Sequence, residues 1–313
     1  MKPLLRTNSI RALAAACILG TLALTACKPR STESGDSSQP SRSVIQNKGS
    51  DTMVNVAQAW AEKYRVVAPD VAVEVSGGGS GVGIAALIRG TIEMANASRD
   101  MKPSEIESAT KNTGKAPTEF VVGFDALAIY VHKDNPLEQI TPEQIAAIYA
   151  EDGNTTKWSQ LGIQLPGGAG DDIIRISRQS SSGTYEFLRT HVLNKKDFKL
   201  GSRDMNGSKE VVELVANTPT AIGYSGMGYA TDHVKMLKVA AADGEFYAPS
   251  VENTMSKNYP IARSLNVYTL GEPTGALKAY LDWILSDAGQ KIVEDSGYVP
   301  IPAADRTSAA SGE

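Results

Sequence analysis

The chain has 313 residues, a formal net charge of −4 at pH 7, and two cysteines. This length suits two domains or one large one, and the acidic charge argues against nucleic acid or anionic lipid as a partner. Because one cysteine falls in the N-terminal segment described next, a disulfide framework within one copy is excluded.

The first 26 residues are predicted to be a lipoprotein export signal. Three cationic side chains precede an apolar run over residues 12–24, which contains Cys17 and is short for a membrane span. The four residues that end at Cys27 (Leu-Thr-Ala-Cys) resemble the bacterial lipobox, in which the cysteine is acylated and becomes the first mature residue. The alternative is an ordinary signal peptide that happens to contain a cysteine. Removal of residues 1–26 takes away the three cations and no acid, which changes the net charge from −4 to −7.

Residues 27–43 are rich in Ser, Pro, Gly and charge, and they predict a flexible tether. The folded part is expected over residues 44–304, followed by a disordered polar tail over residues 305–313. No stretch after the signal reaches the length of a membrane span.

Strand and helix patterns alternate along the folded part, which predicts an α/β fold with largely parallel sheets. The apolar run over residues 120–132 is long for one strand and favours a passage between two domains. Thr141 as N-cap, with Pro142 and Gln144 after it, predicts a helix to about Tyr149. Strands are also predicted over residues 71–75, 92–97, 173–177, 221–224 and 263–270, and helices over 53–67, 84–88, from 103, 183–193, 208–215, 276–285 and 288–294.

Three segments place Gly and small hydroxyl residues between a predicted strand and a predicted helix: 49–52, 76–81 and 180–184. A helix N-terminus presents unpaired N–H groups and a partial positive charge, Gly lets an anion approach, and Ser or Thr hydroxyls add donors. These segments therefore predict a site for an oxyanion. The alternative for each segment is plain N-capping, which Ser, Thr and Asp commonly provide.

Arg178 makes the third segment the most specific. It ends a predicted strand five residues before Gly183, and its planar fork matches two oxygens of a phosphate. The alternative is a surface arginine paired with a nearby acid. Other phosphate and catalytic motifs fail on spacing: the Gly-rich turn lacks the G-x-G-x-x-G register and a G-x-S-x-G elbow, and no P-loop is present. We expect no metal, no cofactor and no catalytic residue.

These motifs are similar to those of the phosphate-binding protein of the bacterial phosphate-specific ABC importer. The similarity spans residues 49–300 and includes Asp125-Ala-Leu-Ala and Ile222-Gly-Tyr-Ser. The resemblance implies a two-lobed, periplasmic-binding-protein-like fold (type II). In this fold, two α/β lobes with mostly parallel sheets are hinged by two crossover strands. The lobes are expected over residues 44–127 plus 260–304, and over residues 128–259.

The resemblance also implies the ligands of phosphate. The first lobe would contribute the Thr at a helix start, with the neighbouring N–H and hydroxyl groups, and the Ser of the Gly-rich turn. The second lobe would contribute the Arg-x-x-x-Ser-Gly-Thr pattern. The expected set is Ser50, Thr52, Met53, Ser80, Ser98, Arg178, Ser182, Gly183 and Thr184.

Two positions depart from better-known members of the family. Ser98, followed by Arg99, stands where an Asp accepts the proton of monobasic phosphate and so rejects sulfate. Ser180 stands where an acid lies near the binding arginine. Loss of acceptors would weaken the discrimination against sulfate, and a cation at Arg99 would favour more highly charged anions.

The resemblance implies a monomeric, extracytoplasmic, lipid-anchored receptor that delivers inorganic phosphate to the membrane permease subunits of an ABC importer. The alternatives are a receptor for another tetrahedral oxyanion such as sulfate, a phosphatase on the same fold, and a signalling or adhesion lipoprotein that inherited the fold.

Overall fold

The computed structural model describes residues 42–306, so the signal segment, Cys27 and nearly all of the tether and tail lie outside the described residues. The strands are β1 Ser43–Gly49, β2 Val71–Ser76, β3 Met94–Ala97, β4 Pro117–His132, β5 Gln139–Ile140, β6 Ile174–Arg178, β7 Arg203–Met205, β8 Ala221–Gly226, β9 Val234–Met236, β10 Lys238–Ala240, β11 Phe246–Tyr247 and β12 Ala262–Leu270. The helices are α1 Val54–Val67, α2 Ser80–Ile88, α3 Pro103–Thr113, α4 Pro142–Tyr149, α5 Gly183–His191, α6 Ser208–Ala216, α7 Val251–Met255, α8 Gly275–Leu285 and α9 Asp287–Asp295.

One curled sheet runs through both lobes in the order β2-β1-β3-β12-β4-β8-β6-β7, with β9 paired to β4. A small second sheet has the order β11-β10-β5. The outer strands pair in parallel, as predicted, in the groups β2-β1-β3 and β8-β6-β7. The central pairs that involve β12 or β4 in the large sheet are antiparallel, because these strands carry the chain back and forth between the lobes.

Strand β4 is the longest described strand and joins the two lobes, as its apolar sequence indicates. Its first part pairs with β12 over residues 117–126, and its second part pairs with β8 over residues 127–131. We refer to the part that holds β1–β3, α1–α3, α8 and α9 as the first lobe. The part that holds α4–α6 and β6–β8 is the second lobe.

Each lobe has its own hydrophobic core around a buried tryptophan. Trp60 packs with Tyr64 and Tyr280 in the first lobe, and Trp158 packs with Tyr149 in the second. Both indole N–H groups have backbone acceptors, which removes the cost of burying an unpaired donor. Replacing either tryptophan with alanine is expected to cost roughly 3–5 kcal/mol of folding stability.

Local sequence signals place most elements to within a few residues. The Thr141 hydroxyl accepts from the Gln144 N–H, and the Gln144 side chain accepts from the Thr141 N–H, which confirms the predicted capping box. Ser43, predicted to end the tether, instead begins β1 through pairing with Val71. Asp305, predicted to begin the tail, lies in a 3₁₀ turn. Strands of two or three residues and the five-residue α7 were not predicted, because segments this short show no periodicity. Among the described residues, no helix has both the length and the apolar character of a membrane span.

Candidate functional site

Three parallel strands of the first lobe end at the same edge of the sheet. Ser50 follows β1, the Gly-rich turn that leads to Ser80 follows β2, and Ser98 follows β3. In α/β sheets, ligands bind in the crevice beyond the carboxyl ends of such strands. Arg178, the last residue of β6, brings the corresponding edge of the second lobe to this crevice.

The hydroxyl groups of the first lobe form a buried cluster. Ser50 Oγ donates to Ser98 Oγ at 2.8 Å, and the Ser98 N–H donates to Ser80 Oγ at 3.1 Å. Ser80 Oγ and Ser98 Oγ are 3.4 Å apart. All three side chains are buried, so the crevice concentrates polar groups where water has little access.

The N-terminus of α5 faces this cluster from the second lobe. Ser182 Oγ caps the helix by accepting from the N–H groups of Thr184 and Tyr185, at 3.1 and 3.4 Å. Gly183 lies so close to the serines that an added Cβ would clash with Ser80 Oγ and lie 2.7 Å from Ser98 Oγ. A glycine is therefore required for this close approach of the two lobes.

Two threonines meet across the crevice. Thr52 Oγ1 of the first lobe and Thr184 Oγ1 of the second are 3.0 Å apart. The backbone N–H of Met53, which the resemblance implies as a ligand, donates to the Ser50 carbonyl oxygen at 3.0 Å in a 3₁₀ turn. Met53 thus lies beside the cluster with its N–H already in a hydrogen bond.

Arg178 is a buried cation at the site, with 1% of its side chain exposed. Nη1 donates to Ser208 Oγ at 2.9 Å, and Nη2 donates to the Asn206 carbonyl oxygen at 2.9 Å and to Asp51 Oδ2 at 3.2 Å. Nε is buried without a partner among the described residues. Burial lowers the pKa of Arg178, and Asp51 opposes this shift. A buried guanidinium with an unused donor suits an anion oxygen.

Ser180 stands where better-known members of the family carry an acid near the binding arginine. In this protein, Asp51 of the opposite lobe is the acid that pairs with Arg178. Asp51 Oδ1 accepts from the Gly78 N–H at 2.9 Å, and Asp51 Oδ2 accepts from Arg178. Arg178 is therefore paired with an acid, as the alternative interpretation proposed, but the pair is buried in the crevice and not on a surface.

Arg99 does not bring its charge to the cluster. Its guanidinium donates to both carboxylate oxygens of Glu105, each at 2.8 Å, and to the Asp100 carbonyl oxygen. Although burial raises the pKa of Glu105, the hydrogen bond from Arg99 and the Lys102 N–H produce a net lowering. The expectation that a cation at Arg99 favours highly charged anions is therefore without support in this geometry.

Arg263 and Asp125 form a second buried ion pair that sequence reasoning missed. Arg263 donates through Nε and Nη2 to Asp125 Oδ2 at 3.0 and 2.8 Å. Burial raises the pKa of Asp125, although the Arg263 charge opposes the shift. Arg263 Nη2 is also 3.0 Å from Thr184 Oγ1, so this cation lies directly beneath the hydroxyl cluster. The sequence did contain a signal for this pair. Asp125 lies within the apolar pattern of β4 and Arg263 within that of β12, and a buried charge needs a partner.

Direct contacts hold the two lobes together around the site. The Gly81 N–H donates to the Ser181 carbonyl oxygen at 2.9 Å, and Ser181 Oγ donates to the Gly78 carbonyl oxygen at 3.2 Å. Lys102 Nζ and Glu186 Oε1 form an ion pair at 2.8 Å. Over residues 42–306, no group of three or more His, Cys, Asp or Glu side chains is placed to hold a metal ion. The described groups that line the crevice are hydroxyl, N–H and guanidinium groups, together with the carboxylates of Asp51 and Asp125 that pair with the two arginines.

Comparison with known proteins agrees with this geometry. The profile of the PBP superfamily domain matches residues 34–288. The phosphate-binding protein PstS of Pseudomonas aeruginosa is 35% identical over 266 residues, which are 82% of each chain. PstS of Bacillus subtilis is 31% identical over 266 residues, which cover 85% of this chain and 83% of that protein. A Clostridium perfringens crystal structure, described as a phosphate ABC transporter substrate-binding protein with bound phosphate, has a TM-score of 0.73 at 29% identity. The match covers 83% of this chain and 100% of the Clostridium perfringens chain.

The two-lobed fold and the crevice between the lobes define a substrate-binding protein of the PBP superfamily. Within it, the chain belongs to the family of PstS phosphate-binding proteins, which serve phosphate ABC importers.

Proposed function

We propose that this protein captures inorganic phosphate outside the cytoplasm and delivers it to the membrane permease subunits of an ABC importer. The observation that carries the proposal is Arg178, a buried guanidinium that contacts Asp51 of the opposite lobe across the crevice and whose Nε has no partner among the described residues. Relatives named as phosphate-binding proteins and a related structure with bound phosphate support the same ligand.

Local dipoles and not the net charge provide the attraction for the anion. The start of α5 carries a partial positive charge, and the hydroxyls of Ser50, Ser80 and Ser98 are already directed into one cluster. Such groups replace the hydration shell of an anion in a closed crevice, so an acidic protein can bind phosphate without repelling it at the site. The ligand set we propose is Ser50, Thr52, Met53, Ser80, Ser98, Arg178, Ser182, Gly183 and Thr184.

The ligand would bridge two lobes that move as units. We propose boundaries at residues 44–127 plus 260–304 for the first lobe and 128–259 for the second. The core around Trp158 is separate from the clusters of the first lobe, and this separation and the two connecting strands, β4 and β12, support the division. Because the proposed ligands come from both lobes, phosphate would favour the closed state through its higher affinity for that state.

The mature protein would be a lipid-anchored monomer that begins at Cys27. Two or more acyl chains give stable anchoring where a single chain is marginal. Replacing Cys27 with alanine should leave unprocessed precursor or release the protein from the membrane. Mass spectrometry and membrane fractionation test this, and unchanged mass and membrane retention would contradict it.

We propose a binding role without catalysis. The cluster contains hydroxyl groups and guanidinium groups but, among the described residues, no imidazole or thiol that could activate a nucleophile. We expect no hydrolysis of a chromogenic phosphate ester by the purified protein. Turnover that is lost with Arg178→Ala would favour the phosphatase alternative.

The experiment that tests the proposed function is calorimetry of the mature protein, refolded from denaturant to remove bound ligand. Phosphate, arsenate and sulfate are titrated at one pH. We expect phosphate and arsenate to bind most tightly and sulfate to bind measurably but more weakly. Absence of phosphate binding to correctly folded protein would refute the proposal.

A further inference from the structure

Arg263 is anchored where the chain passes between the lobes. It lies on β12, directly opposite Asp125 on β4 in the register of the sheet. Its side chain is 1% exposed, and that of Asp125 is fully buried. Two hydrogen bonds to Asp125 Oδ2 fix the guanidinium, and Asp125 Oδ1 accepts from the Met227 N–H at 3.1 Å. The pair is thus satisfied within the protein, as a buried pair must be.

The remaining contacts of the Arg263 guanidinium are with groups of the proposed site. Nη2 is 3.0 Å from Thr184 Oγ1 and 3.3 Å from Thr52 Oγ1, and Nη1 donates to the Ser98 carbonyl oxygen at 3.1 Å. Arg263 therefore contacts three of the proposed phosphate ligands, and these come from both lobes. Nη2 has two hydrogens but three acceptors within 3.3 Å, counting Asp125 Oδ2, so its hydrogens are shared between Asp125 and the threonines.

The direction of these hydrogen bonds determines what the threonines offer to a ligand. A guanidinium only donates, whereas a hydroxyl has one hydrogen and can also accept. A threonine that accepts from Arg263 keeps its own hydrogen for another acceptor. Thr52 Oγ1 and Thr184 Oγ1 are 3.0 Å apart and can share one hydrogen with or without Arg263, but without Arg263 both oxygens would lose a donor and could instead accept from the ligand.

We propose that Arg263 is a positioning residue that orients Thr52 and Thr184 as donors toward the bound anion and thereby sets its selectivity. Oriented donors suit fully ionised oxygens, which accept only, better than a protonated oxygen that must donate. Asp125 compensates the charge of Arg263, so the main effect of the pair is on the direction of hydrogen bonds. The inference rests on the proposed function and assigns to a residue outside the family's ligand pattern a role in its selectivity.

The test compares the ratio of sulfate affinity to phosphate affinity in three proteins at one pH. The first is wild type, and the second carries Arg263→Met together with Asp125→Asn, because removing both members of a buried pair is tolerated better than removing one. The matched control carries Arg99→Met together with Glu105→Gln, which removes another arginine–acid pair beside the crevice but outside the cluster. Circular dichroism and thermal unfolding verify the fold of each.

In the double variant of Arg263 and Asp125, we expect sulfate affinity to fall at least tenfold and phosphate affinity to fall about threefold. The freed hydroxyls can then turn to accept from a protonated phosphate oxygen, which sulfate lacks. The control should keep the wild-type ratio. Equal losses for both anions, or no loss, would overturn the inference by showing a structural role alone. A wild type that binds phosphate but excludes sulfate would also overturn it.

Arg263→Lys covers the case in which the double variant does not fold. Lysine keeps the charge beside Asp125 but lacks the planar fork that reaches Asp125 and both threonines together. We expect the same shift of the ratio toward phosphate, at least threefold, and an unchanged ratio would contradict the inference. Failure of wild type to bind phosphate would instead count against the proposed function, so the two failures are distinguishable.

Discussion

Asp51 Oδ2 accepts a hydrogen bond from Arg178 Nη2 at 3.2 Å, and this ion pair joins the first lobe to the second across the crevice. Arg178 is almost fully buried, while 16% of the Asp51 side chain is exposed. An acid supplied by the lobe of Arg178 itself would be present in every state of the protein. An acid from the opposite lobe reaches Arg178 only when the lobes are closed, so the ion pair contributes to closure.

Asp51→Asn should therefore open the protein in the absence of phosphate. Asparagine keeps an acceptor for the Gly78 N–H but removes the charge beside Arg178. A hydrogen bond to a charged group contributes about 1.5–3 kcal/mol, so the ratio of open to closed molecules should rise by roughly one to two orders of magnitude. Small-angle scattering of protein refolded without phosphate should show a larger radius of gyration than wild type.

Lys102→Gln provides the comparison for this experiment. It removes the other described ion pair between the lobes, with Glu186, but half of the Lys102 side chain is exposed. Exposed pairs contribute about 0–1 kcal/mol, so its effect on opening should be small. An identical scattering profile for wild type and Asp51→Asn, each without phosphate, would show that the Asp51–Arg178 pair does not contribute to closure.

Arg178→Ala should weaken phosphate binding by about 30-fold or more. Loss of one partner of a buried charge pair costs roughly 2–5 kcal/mol, because the other partner is left unpaired. Arg178→Lys should recover part of the affinity, since lysine cannot serve Ser208, Asn206 and the anion with one planar fork. Calorimetry measures both variants.

Arg175→Lys is the matched control, because Arg175 lies on the same strand and contacts the Leu200 carbonyl oxygen away from the cluster. Its phosphate affinity should stay within a factor of two of wild type. Phosphate binding by Arg178→Ala within a factor of three of wild type would remove Arg178 from the ligands.

The parts of the site that the sequence predicts are those built from local motifs. Ser182, Gly183 and Thr184 are adjacent in sequence, and a helix start fixes their relative positions whatever surrounds them. Arg178 ends the strand just before this motif, so the sequence places both at the same edge of the second lobe.

The unpredicted parts depend on long-range pairing. Asp125 and Arg263 are 138 positions apart and meet through the register of β4 with β12. Asp51 was recognised as part of a helix start, but its partner depends on how the lobes face each other. Arg99 shows the opposite error: it is next to Ser98 in sequence, yet its guanidinium pairs with Glu105 in the first turn of α3. Tertiary packing determines which partner each charged side chain contacts, and no local sequence pattern indicates the result.

Gly183→Ala should prevent tight closure on phosphate. The added methyl group would clash with Ser80 Oγ and lie 2.7 Å from Ser98 Oγ, both on the opposite lobe. The backbone of Gly183 is helical, so alanine is tolerated there by the second lobe alone. We expect a phosphate affinity at least tenfold lower with a thermal unfolding temperature within a few degrees of wild type.

Gly207→Ala is the control for this change. Gly207 precedes α6 with an extended backbone, and an added Cβ would meet nothing within 4 Å. Its phosphate affinity should match wild type. If Gly183→Ala also binds phosphate as wild type does, the first and second lobes do not close as tightly as this structure shows when the anion is bound.

Ser98→Asp should restore discrimination against sulfate. Ser98 Oγ lies 2.8 Å from Ser50 Oγ and 3.4 Å from Ser80 Oγ, so its hydroxyl is inside the cluster. A hydroxyl donates to a bare oxygen or accepts from a protonated one, whereas a carboxylate only accepts. The substituted acid must meet a ligand proton or repel the anion. Sulfate affinity should then fall at least tenfold more than phosphate affinity.

The pH dependence of phosphate binding provides the second measurement on Ser98→Asp. As pH rises, dibasic phosphate replaces the monobasic form and has fewer protons to donate to a carboxylate. Wild type should keep its phosphate affinity from acidic to alkaline pH, and Ser98→Asp should lose affinity as pH rises. Ser98→Asn controls for size, because it adds a side chain of nearly the same shape without charge. Calorimetry with both anions at pH values below and above the second ionisation of phosphate separates the possibilities. Equal losses for sulfate and phosphate at every pH, in both variants, would mean that Ser98 supports the loop and does not contact the ligand.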